Sequence, residues 1–480
     1  MARLCLGFEV HQPFRLNPEF RPEMAKGRRD LEKYYFAPSN QENLGRVAER
    51  CYLPATEILL DALDDGLRCA LSFSGTVLEQ LERWSPDTLA LFAEAGRHPH
   101  TEVLAQTYYH SLVGFFEEPT EFVGQVQMHA RLMEDLFGKK PRVAENTEFA
   151  LNNTLAAAVR DLGYLAVYTE GAGWVLGEQS PNEPYTCQGL QVLMRNCPLS
   201  DDIGFRFSWE AWDKYPLAPE TYAWWVAASP GTCAHVFLDY ETFGEHHQAG
   251  TGIFTFLEDL YPALEDAGVA CLLPSEAAAL PSAGDLDLPW MVSWADMEKD
   301  GSAWLGNPRQ RSAFFALEQA QARTRRPDLW RYFGTSDHFY YLSSKDGACG
   351  DVHTYFCPDD LDGQTGAYEV YMRVLSHLDS RSLPRGRQAL ASVPAEKAFH
   401  FFFPDGSYTG RSAHSLLEFW RILPEIPEVS VLWHLHRGDY ARWLEGVFGE
   451  RRLAHAVAAC LTPGEVRDTV ERRWSELCRD

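Results

Sequence analysis

Residues 234–250 read AHVFLDYETFGEHHQAG. An apolar run of strand character, Ala234 to Leu238, leads straight into Asp239 and Glu241, then a glycine and the adjacent pair His246 and His247. Charge at the end of a buried strand needs a reason, and a parallel barrel supplies one: catalytic groups stand where its strands run out into βα loops. Moving outward from this stretch, short β-rich runs recur, among them RLCLGFEV, RCALSFS, TEVLAQTYY, RVAENTEF, YLAVYTE, LQVLMRN and VACLLP. Between them PATEILLDALDDG, TVLEQLERW with LALFAEAG, EFVGQVQMHARLMEDLFG, NTLAAAVRDLG and IFTFLEDLYPALEDAG carry apolar residues at helical spacing, several closing on Gly. Strand and helix alternating over about 270 residues predict an α/β fold with a parallel sheet, and seven or eight such units favour a closed barrel over an open doubly wound sheet. No GxGxxG or P-loop speaks for the open alternative.

The polar strand end recurs. His11-Gln12-Pro13 follow the first strand, Tyr108-Tyr109-His110 the third, and Glu145-Asn146-Thr147-Glu148 the fourth. Any one of these residues alone reads more readily as structure than as function; four such ends together predict a site. Glu148 and Asp239 come from different strands, and two carboxylates facing each other across a sugar-sized cleft are the minimum equipment of a glycosidase.

Composition agrees. Lys and Arg total 43 against 68 Asp and Glu, a formal charge of −25 that repels phosphate backbones and anionic lipid, so neither nucleic acid nor membrane is an expected partner. The stretch MARLCLGFEVHQPF has no signal-peptide pattern and no run approaches the roughly 18 apolar residues of a span, so a cytoplasmic location is expected. Eleven scattered cysteines without a CxxC pair read as reduced thiols rather than a disulfide framework or zinc knuckle. Aromatic residues at 13%, with 14 Trp, suit a cleft that stacks sugar rings, although core packing alone also uses them.

Near residue 275 the texture changes. The expected organisation is a catalytic barrel over 1–275, a helical domain over 276–388 that completes the cleft, and a small C-terminal α+β domain over 389–480. The stretch SRSLPRGRQ reads as an exposed boundary before the last of these, which is expected to be separable and to serve as a contact for a protein partner.

HQP at 11–13, ENTEFALNN at 145–153, LDYETFGEH at 238–246 and SWADMEKDGSAWLGNPRQ at 293–310, with TYYHSL and LSDDIGFRFS between them, resemble the successive signatures of glycoside hydrolase family 57, the α-amylase and 4-α-glucanotransferase family, and most closely its α-amylase-like subgroup. The resemblance runs from residue 1 to about 380. It implies a (β/α)7 TIM-like barrel, a retaining mechanism, an α-glucan or maltooligosaccharide substrate, and no metal or organic cofactor for the chemistry. It places the nucleophile on Glu148, with Glu145 as competitor in the same stretch, and the acid/base on Asp239. Hydrolysis and glucanotransfer share every one of these residues, and a catalytically weak glucan-binding or regulatory protein is the further alternative.

Around that pair, His11, Gln12, His110 and His246 are candidate contacts to the sugar; Glu241 is either such a contact, or a partner for an Arg, or the negative charge that keeps Asp239 protonated, and Tyr108 and Trp174 are stacking platforms or core. Trp294, Asp296, Trp304 and Asn307, which fall in the last signature, are further candidate substrate contacts. His247 is expected to be structural, and Asp201 and Asp202 to stabilise a loop. A metal-dependent polysaccharide deacetylase ranks low, because HQP and the adjacent His246 and His247 lack the His-x3-His helical pair such sites favour. Nor do His434, His436 and Asp439 have metal-site spacing.

Overall fold

A computed structural model describes residues 2–345, 363–384 and 386–479. They fall into two compact units: residues 2–14 and 38–301 in the first, and residues 15–37, 302–345 and the chain from 363 onward in the second.

The first unit is α/β. Its strands are β1 (Ala2–Val10), β2 (Cys69–Phe73), β3 (Thr101–Val103), β4 (Val143–Glu145), β5 (Ala166–Glu170), β6 (Tyr185–Cys187), β7 (Leu190–Arg195), β8 (Ala234–Asp239) and β9 (Val269–Cys271). One sheet runs β3-β2-β1-β8 with β9 also on β1, all parallel; the other runs β4-β5-β7-β6, parallel except for the β6–β7 hairpin. Backbone bonds join the two. Ala105 N donates to Val143 O at 3.1 Å and Glu145 N to Ala105 O at 2.8 Å beyond β3, while Asn196 N donates to His235 O at 2.7 Å beyond β7.

β1 is buried without a break from Leu4 to Val10, as a parallel strand covered on both faces must be. Leu4, Leu6, Phe8 and Val10 pack with Leu71, Phe73, Val236 and Leu238 against the helices. The alternate set, Cys5, Ala70, Leu104, Val143, Ala166, Tyr168, Leu193 and Phe237, forms a separate core. Gly7 belongs to that second face. Its register partner is Phe237, and a Cβ at Gly7 would stand 2.3 Å from the Phe237 ring, so a larger residue would expel the ring.

Helices enter with side-chain caps where the chain leaves the strands. Ser74 caps Gly75–Trp84, Asn152 caps Asn153–Asp161, and Asn196 caps Cys197–Gly204, each accepting a backbone N–H. The long helix Thr120–Phe137 stops at Gly138 in the left-handed region, φ 67°. No helix of the described residues is long and apolar enough to cross a membrane.

The second unit is mainly helical, with one antiparallel pair, β10 (Phe399–Phe402) and β11 (Tyr408–Ala413). Phe399, Phe401, Phe419, Tyr440 and Trp443 pack edge-on and tilted at the centre of its C-terminal core. This core is tied to residues before Gln388 by polar bonds. Ser312 Oγ donates to the buried Glu418 carboxyl at 2.6 Å, Tyr368 OH meets His414 Nε2 at 2.7 Å, and Ser392 N donates to Asp379 Oδ2 at 3.0 Å. Ending the chain after Gln388 strips all three bonds, each worth about 0.5–1.5 kcal/mol net, although Asp379 keeps Arg323 and Tyr368 keeps Ser312. The expected result is an aggregating or lower-melting protein. A soluble truncation with an unchanged, sharp thermal transition would instead make residues 389–480 a separable domain.

Candidate active site

Glu9 sits one residue from the end of β1, and register places it between Ser72 of β2 and Asp239 of β8. Register partners in a parallel pair share a face, so all three project from the face that carries Gly7 and Phe237. Gln106, just beyond β3, completes a chain of bonds: its Nε2 donates to Glu9 Oε1 at 2.7 Å and Ser72 Oγ at 2.9 Å, and Ser72 Oγ donates to Glu145 Oε2 at 2.9 Å. Burial raises the carboxyls of both Glu9 and Glu145, the latter to about 7, and the charge of Glu145 adds to the rise at Glu9.

Since Gln106 uses its amide hydrogens on Glu9 and Ser72, its Oε1, 2.9 Å from His110 Nδ1, must accept from that nitrogen. His110 Nε2 then points to Glu148 Oε1 at 3.6 Å. On the other side Trp294 Nε1 donates to Glu148 Oε2 at 2.6 Å, and the Trp294 ring stacks on Phe149 with centroids 4.7 Å apart. Glu148 therefore has one carboxylate oxygen held by Trp294 and the other facing His110, with the side chain 17% exposed. Glu145 is 1% exposed.

The backbone here is strained. Among the described residues, six non-glycines take positive φ: His110, Glu148, Phe149, Gln188, Asp296 and Lys299. Five of them lie in TYYHSL, ENTEF or SWADMEK, at about 1–3 kcal/mol each where the surroundings enforce it. Such costs persist where side-chain placement is worth more than local comfort.

The remaining candidates are placed as follows. His11 stacks on His110 at 4.0 Å, and its Nδ1 meets Ser74 Oγ at 2.7 Å, so the helix cap also holds this ring. Gln12 is buried, with its carbonyl accepting Gln80 Nε2 at 2.8 Å. The Tyr108 hydroxyl donates to Glu79 Oε1 at 2.8 Å, and the ring lies against Gly75. Trp174 is half exposed and anchored by Nε1 to Glu298 O at 3.0 Å. Asp296 is half-buried, two residues past Trp294 and in the left-handed region, φ 56°. His246 is half-buried with its imidazole lowered to about 4 by burial and by His247, so the ring is neutral at neutral pH. His247 is spent on structure: Nδ1 meets Ser208 Oγ at 2.7 Å and Nε2 faces Ile203 O at 2.9 Å.

Trp304 and Asn307 belong to the second unit. Trp304 is buried in the short helix Ser302–Leu305, and Asn307 caps Pro308–Gln321, its Oδ1 accepting Gln310 N at 3.0 Å. His434 is likewise engaged at both nitrogens, by Phe402 N at 2.9 Å and Asp439 Oδ2 at 2.8 Å.

Asp239 is half-buried at the end of β8. Glu241 behind it is buried, Tyr52 OH donates to it and Gln12 hydrogen-bonds it, yet burial first and the charge of Asp239 second push its carboxyl up to about 8. An acid whose folded pKa is raised favours the native state fully below its unfolded value of about 4.3, and that contribution is lost as pH rises through the folded value. Relative to Glu241→Gln, the wild type is expected to lose about 1.4 kcal/mol per pH unit between about pH 5 and 8, then level off. Urea unfolding of both proteins across that range checks this; parallel curves would mean Glu241 is ionised throughout.

Arg195 and Glu170, which sequence reasoning did not reach, lie close by. Arg195, at the end of β7, bridges Glu170 Oε2 at 2.8 Å and Asp201 Oδ1 at 2.7 Å, and its guanidinium lies 5.4 Å from the Trp294 ring centroid. Burial, the largest single influence, would raise Asp201, but the charge and hydrogen bond of Arg195, with the charge of Lys299, together outweigh it and hold the carboxyl below its usual range. Asp202 pairs instead with Arg206 at 2.7 Å. Glu9, Ser72 and Gln106 were also passed over. The available signal was a polar residue within the apolar strands β1 and β2, in GFEV and CALSF, and another just past β3, in LAQT.

With the geometry set out, comparison with known proteins is informative. The model of the family described as Glycosyl hydrolase family 57 matches residues 5–288. A protein of Methanocaldococcus jannaschii bearing a provisional alpha-amylase name is 37% identical over 396 residues, covering 78% of this chain and 83% of that protein. Among solved structures, the 4-alpha-glucanotransferase from Thermococcus litoralis superposes with TM-score 0.59 at 15% identity over 86% of this chain and 63% of its own, so this chain spans less than two thirds of that enzyme. A branching enzyme from Pyrococcus horikoshii gives TM-score 0.55 at 14% identity, covering 81% of this chain and 90% of its own. At such identities the structural likeness concerns the fold.

Proposed function

This chain belongs to glycosyl hydrolase family 57, and from that premise we propose that it cleaves or rearranges α-1,4-glucans by double displacement, with Glu148 as nucleophile and Asp239 as acid/base. The supporting scaffold is read as a (β/α)7 barrel of β1, β2, β3, β4, β5, β7 and β8, because the bonds from Ala105 and Asn196 carry the strand order from one sheet into the other at both edges. Relatives with amylase, glucanotransferase and branching-enzyme names fit this substrate class.

The observation that carries the reading is Glu148 itself: a strained residue past the end of β4, its carboxylate held by Trp294 and faced by His110. Glu145 suits the role less, since it is buried beneath and raised toward neutrality. In the first step Glu148 attacks the anomeric carbon while Asp239 gives its proton to the departing glycosidic oxygen. In the second, Asp239, now a carboxylate, takes a proton from the incoming acceptor as the glycosyl–Glu148 ester breaks. Water as acceptor gives hydrolysis; a sugar hydroxyl gives transfer. Incubation with maltoheptaose and chromatography of the products tests this: shorter oligomers only mean hydrolysis, and oligomers longer than the substrate mean transfer. No change in the substrate at any enzyme concentration, with binding retained, would leave a glucan-binding protein and overturn the catalytic reading.

A further inference from the structure

Towards the N-terminal ends of β1 and β8, the face that carries Glu9 and Asp239 bears a different cluster: Cys5, Cys233 and His235. Register pairs Cys5 with His235, four residues before the Glu9–Asp239 pair, which at ~3.3 Å per residue puts the cluster roughly 13 Å from the carboxylates. Each of the three residues is at most 2% exposed. Their ligand atoms, two sulfurs and an imidazole nitrogen, all lie within 4.8 Å of one another.

The two sulfurs are 3.9 Å apart. Two thiolates bound to one zinc at ~2.3 Å across a tetrahedral angle stand about 3.8 Å apart, whereas a disulfide needs ~2.05 Å. The imidazole adds a second, independent indication. Its Nδ1 lies 3.2 Å from the Tyr168 hydroxyl, its Nε2 is buried with no hydrogen bond of ordinary geometry, and the ring interacts with the Cys233 thiol. A buried polar atom left unpaired costs about 1–3 kcal/mol, and a ring anchored at one nitrogen with the other left for a metal is how ligating histidines are oriented.

We propose that Cys5, Cys233 and His235 hold a zinc-class thiophilic ion that clasps β1 to the start of β8, a structural site apart from the carboxylates. On binding, two S–H bonds break, two sulfur–metal bonds form, and His235 Nε2 contributes its lone pair. Two protons leave to solvent. Two thiolates cancel the charge of a divalent ion, so the complex enters the dry interior without net charge. Three protein donors leave one position of the tetrahedron for a water molecule.

The test is made on the full chain, expressed with zinc in the medium and purified under reducing conditions. Native mass spectrometry of the wild type separates three states: the free dithiol, a disulfide lighter by two hydrogens, and a complex heavier by one zinc less two protons. Metal analysis is run in parallel on wild type, Cys233→Ser and His235→Phe, and cobalt(II) replaces zinc to give thiolate charge-transfer absorption. The expected result is about one zinc per chain in the wild type and at least a tenfold loss of metal in either variant. A wild type found as metal-free dithiol or as disulfide overturns the proposal. So does zinc retained in folded variants, which would place the metal elsewhere. Because the wild-type mass alone decides between the first three states, the result does not depend on the variants folding.

Discussion

Glu148→Gln is expected to lower turnover of maltooligosaccharides by about four orders of magnitude, about 5.5 kcal/mol in transition-state stabilisation, with the thermal midpoint little changed. Glutamine keeps the volume of the side chain and an oxygen for the indole N–H that Trp294 donates at 2.6 Å, so neither the strained backbone nor the stack on Phe149 loses its support. What it lacks is a charge with which to attack carbon. Glu145→Gln is the control. Its carboxyl, raised to about 7, is already largely neutral below that pH, and Ser72 can donate to an amide oxygen as well as to a carboxyl. Activity within about tenfold of wild type is expected there. The opposite pattern, an inactive Glu145→Gln beside an active Glu148→Gln, would move the nucleophile three residues upstream.

The second large effect belongs to Asp239→Asn, and here the substrate distinguishes catalysis from structure. Proton donation by a positioned acid is worth about 10²–10⁴-fold when the leaving group is a sugar alkoxide, and little when it departs unaided. A loss near 10³-fold is expected on maltooligosaccharides, with formation of the glycosyl–enzyme nearly normal for an α-glucosyl fluoride or nitrophenyl glycoside. Rapid-quench measurement of that first step gives the answer. Equal loss on both substrates would make Asp239 only a neighbour that fixes Glu9, its register partner on β1.

How much of this was legible in the chain follows from how local each signal is. Strand ends are local: LDYE and ENTE place charge just beyond apolar runs, and Asp239 and Glu148 stand there in the structure, at the end of β8 and just past β4. Caps are local too, since Ser74, Asn152 and Asn196 stand immediately before the helices that they start. His247, expected to be structural, has its ring bound to Ser208 and to two backbone carbonyls.

Other features are set by which strands pair and in what register. Glu9 and Ser72 are single polar residues in apolar strands, with Gln106 just past β3, and nothing in GFEV or LSFS says which face is inside until neighbouring strands fix the register. Arg195 and Glu170 form an ion pair within β5 and β7 that neither segment announces. Asn307, read from its motif as a substrate contact, spends its side chain on a helix cap and on Leu342 O.

By itself, then, the order of residues determined the alternation of strands and helices, the family signatures, and the polar termini at which chemistry is proposed, because each depends on neighbours within a few positions. Tertiary structure alone decided which mid-strand polar atoms meet. It joined Gln106 to Glu9 across 97 positions and Trp294 to Glu148 across 146, and it brought the sulfur of Cys233 to that of Cys5 across 228. The physical reason is that side chains alternate along a strand with period two, so a residue's surroundings depend on the register and order of strands distant in sequence, which no local pattern encodes.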